Sequence, residues 1–384
     1  MNIGYCTNIH SGVRFEQTLE NLRLYAQKVK QATSPSEPMG IGLWFSEQAA
    51  SEALQTDQLG RLKACLSELG LSAYTFNAFP QFDFHQDVVK KSVYLPDWTS
   101  SQRLQYTLSI AKLQSELLPV GSVGTISTVP LGWRNRDREE FFRSCAAGLK
   151  QCAEALHAIY EDTGVKIRLC LEPEPGCALQ VSSEVCDFFQ RYLFDDSGTV
   201  AICQSHLAVC HDICHAAVMM ESQSEVLNSY LDLGLNIAKV QISSAPQFIQ
   251  REKASLPNAL ARFVEPRYMH QTTIQRAEGN LFYDDLPAAL AAEQDQFGEA
   301  VWRIHFHVPI MLDSIEDLQT TQDEITQCLN WFVERDYQSH FEVETYAWEV
   351  SPSSVRDGGV VDSIVAELQW LRQRFPGLAK INRT

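Results

Sequence analysis

Short apolar runs rich in β-branched and aromatic residues alternate along the chain with longer stretches whose apolar positions recur at three- and four-residue steps. The short runs read as strands: "IGYCT" (3–7), "GIGLWFS" (40–46), "SAYTFNAF" (72–79), "SVGTIST" (122–128), "KIRLCLE" (166–172), "LAVCH" (207–211), "AKVQIS" (238–243), "RIHFHV" (303–308) and "FEVETY" (341–346). Helical periodicity occupies most of the intervals, as in 15–32, 59–70, 101–117 and 138–164. Repeated strand–helix alternation implies parallel strands joined by helical crossovers. Nine runs are one more than an eight-stranded barrel holds. Residues 244–302 show no clear alternation, so they are read as a loop insertion after the seventh strand. "RIHFHV" is assigned to that enlarged loop and "FEVETY" to strand eight. The expected fold is α/β, a (β/α)8 barrel of the TIM type in one domain over 1–384, with its site at the C-terminal ends of the strands. An open doubly wound sheet is the alternative, but no GxGxxG follows the first strand.

Composition narrows the function more than the fold. With 384 residues, 45% of them hydrophobic, the chain can bury a large core. The net charge of −17, with Lys and Arg spread thinly, argues against nucleic acid as a partner, because phosphate neutralisation supplies most of that affinity. No apolar run is long enough to span a membrane. The start, "MNIGYCTNIH", lacks the basic and apolar regions of a signal peptide, so a cytoplasmic location is expected. Eleven cysteines without a CxxC pair read as buried thiols rather than as a disulfide framework or a redox pair.

The informative residues sit at strand ends. In "KIRLCLEPEPG", Ile167, Leu169 and Leu171 share one face and Arg168, Cys170 and Glu172 the other. Glu172 is then the last inward residue, and Pro173 and Pro175 hold the exit extended. In "CHDICH" (210–215), Asp212 and His215 are three apart and converge if a helical turn starts there. Strand seven presents Gln241 or Lys239. His305 and His307 alternate onto one side of an extended segment, and strand eight ends with Glu342, Glu344 and Tyr346 on one face. Mixed imidazole and carboxylate ligands point to a divalent metal ion, Zn²⁺ or Mn²⁺ foremost. The expected ligands are Glu172, Asp212, His215, His305, His307 and Glu344. Aromatic residues after strand three (Phe76, Phe79, Phe82, Phe84, Tyr94 and Trp98) either wall an apolar pocket over the barrel mouth or pack a long loop onto it; Trp44, Trp133 and Trp348 also fall near strand exits.

In order along the chain, "LEPEPG", "HDICH", the polar end of strand seven, the HxH segment and "VETYAW" resemble the xylose-isomerase-like barrels, a superfamily of sugar-phosphate isomerases, epimerases and metal-dependent endonucleases. The resemblance implies metal ligands at Glu172, Asp212, His215 and Glu344. Gln241 stands where His or Asp is expected, and Glu174 replaces the lysine of the xylose isomerase "EPKP" pattern, which speaks against that particular enzyme. "GYCTNIH", "TFNAFPQFDFH", "VKKSVYLPDW" and "HFHVPI" are more narrowly similar to the barrel proteins of the ebo gene cluster, described as metabolite-traffic proteins. The implied partner is a small carbohydrate-like molecule or a secondary-metabolite precursor.

The reading that follows is a sugar or sugar-like isomerase or epimerase, in which Glu172 and Glu344 trade a proton as general base and acid through an enediolate. His10, Asn77, His85, Glu174, His211, Gln241, Tyr346 and Trp348 are the expected substrate contacts. Two alternatives stand beside it: a phosphoester hydrolase drawing further ligands from His10, His85, His211 and His270, and a metabolite-binding carrier without catalysis.

Overall fold

The computed structural model describes residues 3–378 apart from 135, 136, 196, 197, 252–257, 294, 295, 297, 352, 354, 355 and 357. Eight parallel strands form the central sheet: β1 (Gly4–Tyr5), β2 (Met39–Trp44), β3 (Leu71–Asn77), β4 (Val123–Thr128), β5 (Lys166–Leu171), β6 (Leu207–Asp212), β7 (Ile237–Ile242) and, later in the chain, β14 (His340–Val343). Their order is β1-β14-β7-β6-β5-β4-β3-β2, and a parallel bridge between Cys6 and Gly42 joins the two ends into a barrel. Every residue of β2, β6 and β7 is buried. Both faces of these strands are covered, by the helices outside and by the barrel interior inside, so burial does not alternate along them even where Lys239 and Gln241 alternate with apolar residues.

The outward faces carry the main core. Ile167, Leu169 and Leu171 are fully buried in it, with the phenylalanines and leucines of the surrounding helices. The inside of the barrel is polar below the mouth. Lys239 and Glu342 form an ion pair at 2.6 Å with both side chains fully buried. The Lys239 ammonium also donates to the Phe76 carbonyl at 3.0 Å and the Ser127 hydroxyl at 3.1 Å. Burial works against the lysine's charge, and the Glu342 carboxylate together with Cys210, Cys6 and Glu172 outweighs it, leaving the ammonium above its ordinary range. Gly42 faces this pair: a Cβ there would fall 1.5 Å from Glu342 Oε2, so a larger residue would have to displace the glutamate.

The segment between β7 and β14 departs from the sequence expectation. Residues 244–302 were expected as a loop, but they contain β8 (Pro246–Gln250), β9 (Thr272–Arg276), β10 (Gly279–Tyr283) and β11 (Ala300–Ile304). With β12 (Ser314–Ile315) and β13 (Leu318–Thr320), these make a six-stranded antiparallel sheet in the order β10-β9-β11-β8-β13-β12, which extends past residue 302. The sheet has its own core around Ile274, Trp302, Ile304 and Phe306. Its strands are short, and β10 is exposed or half-buried along its whole length, so no residue alternation marks it. "RIHFHV" supplies the last two residues of β11 and the extended segment after it, outside the barrel wall as expected. None of the eleven cysteines is in a disulfide. Among the described residues, no helix is long and apolar enough to cross a membrane.

Candidate metal centre

Three barrel-strand ends and the antiparallel sheet each deliver polar side chains to one buried spot. Glu172 follows β5 directly. Asp212 ends β6 and caps the helix Ile213–Val218, its Oδ1 accepting from the His215 backbone N–H at 2.8 Å and from the Ser243 hydroxyl at 2.8 Å. The cap is the reason that a D-x-x-H spacing brings its two side chains together: Asp212 Oδ2 lies 3.9 Å from His215 Nε2. Glu344 follows β14, where Asn8 and Asn77 donate to its Oε1 at 2.7 and 2.9 Å. His305 and His307 leave β11 and reach over the mouth, with His307 Nε2 3.8 Å from Asp212 Oδ2 and its Nδ1 3.9 Å from Glu344 Oε2.

Protonation of the three histidines is fixed by what their far nitrogens touch. His215 Nδ1 lies 2.8 Å from the Pro173 carbonyl, and His307 Nδ1 lies 3.0 Å from the Glu344 carbonyl; carbonyls only accept, so both Nδ1 atoms donate. His305 Nδ1 lies 2.8 Å from Gln271 Oε1. The Gln271 amide is oriented by its Nε2, which donates to the Pro175 carbonyl at 3.0 Å, so its oxygen must accept from His305. Each Nε2 therefore carries a bare lone pair. Burial drives all three imidazoles toward the neutral form, His215 down to about 3 and His307 to about 4, with His305 well below its ordinary value. His215 Nε2 and His305 Nε2 then face each other at 3.1 Å as two acceptors with no hydrogen between them.

The carboxylates complete the same picture. Glu172 Oε2, Asp212 Oδ2 and His307 Nε2 are buried without a hydrogen-bond partner. Burial, then the Glu344 and Asp212 carboxylates, push Glu172 far above the usual carboxylate range. Glu344 is pushed up to about 8 by burial and then by Asp212 and Glu342. Converging lone pairs and crowded acids are mutually repulsive without a cation, and one donor atom from each of Glu172, Asp212 and His215, or of His215, His305 and His307, lies within 4.8 Å of the others. The residues present thus fit a divalent metal of the kind that takes mixed imidazole and carboxylate ligands.

A pocket of about 520 Å³, open mouth included, lies above these groups. Asn8, Asn77, Glu172, Glu174 and Glu344 line its floor with His215, His305 and His307. Of the expected contacts, Asn77, Glu174 and Tyr346 line it as well. The others lie elsewhere. His10 stacks on Tyr25 and bonds the Tyr5 hydroxyl at 2.9 Å. His85 Nε2 donates to the Asn8 carbonyl at 2.7 Å, and His211 Nε2 to Gln223 Oε1 at 2.7 Å. Gln241 is buried in register between Asp212 and Glu342, with both amide atoms unpartnered. Trp348 packs half-buried against the main core. His270 bonds Glu265 and the His305 carbonyl, so none of the four histidines considered for a hydrolase joins the cluster.

The aromatic segment divides. Phe79, Phe84 and Tyr94 reach the pocket, whereas Phe76 stacks on Phe45 in the core, Trp98 bonds Thr128, and Phe82 is exposed. Sequence reasoning missed Gln271, which lies in the stretch of unreadable pattern and directly precedes β9. It also donates to the Tyr94 hydroxyl at 2.8 Å and to Glu174 Oε1 at 3.2 Å, while Tyr94 donates to the same Glu174 oxygen at 2.6 Å. Burial lifts Glu174 to about 8, and these two donors pull against that rise.

No family model matches the sequence, and no curated protein matches it. Solved structures do. A protein from Mycobacterium smegmatis described as a xylose isomerase-like TIM barrel in complex with magnesium is 9% identical, covering 99% of this chain and 97% of that one with a TM-score of 0.53. A D-tagatose 3-epimerase-like protein is 12% identical over 99% of both chains with a TM-score of 0.52. An L-ribulose 3-epimerase is 12% identical over 99% of this chain and 95% of that one, with a TM-score of 0.51. The fold shared with these structures is a (β/α)8 TIM barrel.

Proposed function

We propose that this chain is a metal-dependent isomerase or epimerase of a sugar-like compound bearing adjacent carbonyl and hydroxyl groups. The observation that carries the reading is the convergence of three Nε2 lone pairs with the unpartnered Asp212 and Glu172 oxygens at the floor of an open pocket. Asp212, His215, His305 and His307 would hold the ion, with Glu172 and Glu344 beside it; the imidazoles favour Zn²⁺ or Mn²⁺. A cation there would polarise the two substrate oxygens and so acidify the C–H between them.

The remaining work falls to the two glutamates. One takes the proton from carbon, leaving an enediolate, and the other returns a proton to the neighbouring carbon or to the opposite face. Asn8 and Asn77 fix the Glu344 carboxyl by one oxygen and leave its other oxygen to the site. Glu172 lines the pocket and has one buried oxygen with no protein partner, which supports its part in this exchange. Fold neighbours titled as epimerases support this class.

Elemental analysis of the purified protein, paired with solvent deuterium exchange into α-hydroxy ketones, tests the reading. Exchange is expected from the wild type, with a loss of at least about 10²-fold in Glu172→Gln and in Glu344→Gln at unchanged circular dichroism. Metal content near zero, or exchange unchanged in both variants, would leave a binding protein on the same barrel as the better description.

A further inference from the structure

We infer that the ligand of this pocket is uncharged and carries an apolar ring or chain next to its hydroxy-ketone group, so that it is neither a sugar phosphate nor a simple polyol. This rests on the proposed isomerase reading for the reacting end alone.

The walls carry the inference. Phe79, Phe84, Val93, Tyr94, Tyr268 and Tyr346 line the space above the polar floor. Phe84, Tyr268 and Tyr346 form a mutual cluster with ring centroids 4.9–5.3 Å apart, and the Tyr346 ring lies 4.7 Å from that of His307, so apolar wall and polar floor meet there. Two of the tyrosines face the cavity as hydrocarbon: Tyr94 gives its hydroxyl to Glu174, and Tyr268 gives its own to the Phe84 carbonyl at 3.1 Å. A polyol chain rising past the floor would lose water and meet ring carbon, which costs free energy for every hydroxyl left unpaired. An aryl or alicyclic group in the same place gains burial.

Charge points the same way. Lys90 is the single Lys or Arg lining the pocket among the described residues, and its ammonium is already held at 2.7 Å by Asp285. Lys91 and Arg134, which do not line the pocket, share the Asp284 carboxylate, and Arg267 pairs with Glu349. A phosphate entering here would find no lysine or arginine on the pocket lining that lacks a carboxylate partner, in a chain of net charge −17.

Three probes sharing one reacting group separate the possibilities: dihydroxyacetone, dihydroxyacetone phosphate and 2-hydroxyacetophenone, titrated calorimetrically against the Mn²⁺-loaded protein. The aryl ketone is expected to bind at least tenfold tighter than dihydroxyacetone, with no gain from the phosphate. Val93→Lys, at a half-buried position in the pocket wall, is expected to erase most of that tenfold preference at unchanged circular dichroism. Tightest binding of the phosphate, equal binding of all three, or a preference unmoved by Val93→Lys overturns the inference. Deuterium exchange read on the same samples keeps the two readings apart. Aryl preference without exchange at carbon retains the apolar ligand and rejects the isomerase, whereas exchange without aryl preference does the reverse.

Discussion

At the residue scale, each ligating imidazole is only as well placed as the atom behind it. Pro173 and Glu344 offer backbone carbonyls, which no side-chain substitution removes, but His305 depends on the amide of Gln271. Gln271→Leu is therefore expected to lower metal affinity about 10–100-fold through loss of His305 orientation, read by competition with a chelating indicator. Gln271→Glu, which keeps an acceptor, should recover much of it. A second residue, away from the ligands, reports on burial alone. Glu367, in the helix Val360–Arg374, accepts from the Thr345 hydroxyl at 2.7 Å and the Ile310 N–H at 3.1 Å. Burial pushes its carboxyl up to about 7, against the pull of those bonds. A carboxyl raised on folding binds its proton more tightly in the native state, so native stability is highest below the unfolded value and falls as pH rises toward and through 7. Glu367→Gln keeps both acceptor contacts and removes the ionisation. The variant should gain on the wild type between pH 5 and 8 by up to about 3 kcal/mol in urea unfolding. A constant difference across that range would show that Glu367 does not titrate there.

Elements decide which of these residues were legible. Glu172, Asp212, His215 and Glu344 stand at or just after the ends of parallel strands, where a short β-rich segment stops and a polar residue follows, and that position is readable from the strand pattern alone. His305 and His307 were visible through their alternation, although the sheet that carries them was not. A strand such as β10, exposed or half-buried along its length, leaves no period to read, and so the antiparallel sheet and Gln271 at its edge stayed hidden. His10, His85 and His211 were plausible by position alone; each turned out to bond a neighbouring protein group, which is the ordinary fate of a buried histidine. Within the barrel, the Lys239–Glu342 pair gives a test of how strand packing is held. Lys239→Met leaves Glu342 buried and uncompensated and should cost about 3–5 kcal/mol, while Lys239→Met combined with Glu342→Gln should recover most of the loss. Gly42→Ala should cost about 1–3 kcal/mol by displacing Glu342 from the lysine, measured by the same denaturant titration. An unchanged midpoint for Gly42→Ala would mean that the glutamate has room to move.

At the scale of the whole molecule, the barrel and the antiparallel sheet meet at the cluster, since Asp212 and His215 come from one and His305 and His307 from the segment leaving the other. An ion bound by both should tie them together and stabilise only the folded chain. For a single site, a hundredfold excess of metal over its Kd adds about 2.7 kcal/mol, which for a chain of this length corresponds to roughly 3 °C in Tm. The surface complicates that measurement, because a net charge of −17 attracts any divalent cation weakly. The two effects differ in selectivity and in salt response. Binding to an acidic surface is screened within about 10 Å at 0.1 M salt and treats Ca²⁺ and Mn²⁺ alike, whereas a buried imidazole cluster prefers Mn²⁺ or Zn²⁺ and keeps its ion in salt. A rise of about 3 °C with Mn²⁺ that survives 0.3 M NaCl, is absent with Ca²⁺, and disappears in His305→Ala and in Asp212→Asn alike is the expected result. Loss in one variant alone would confine the ion to one of the two structural units, and an equal rise in all forms would place it on the surface.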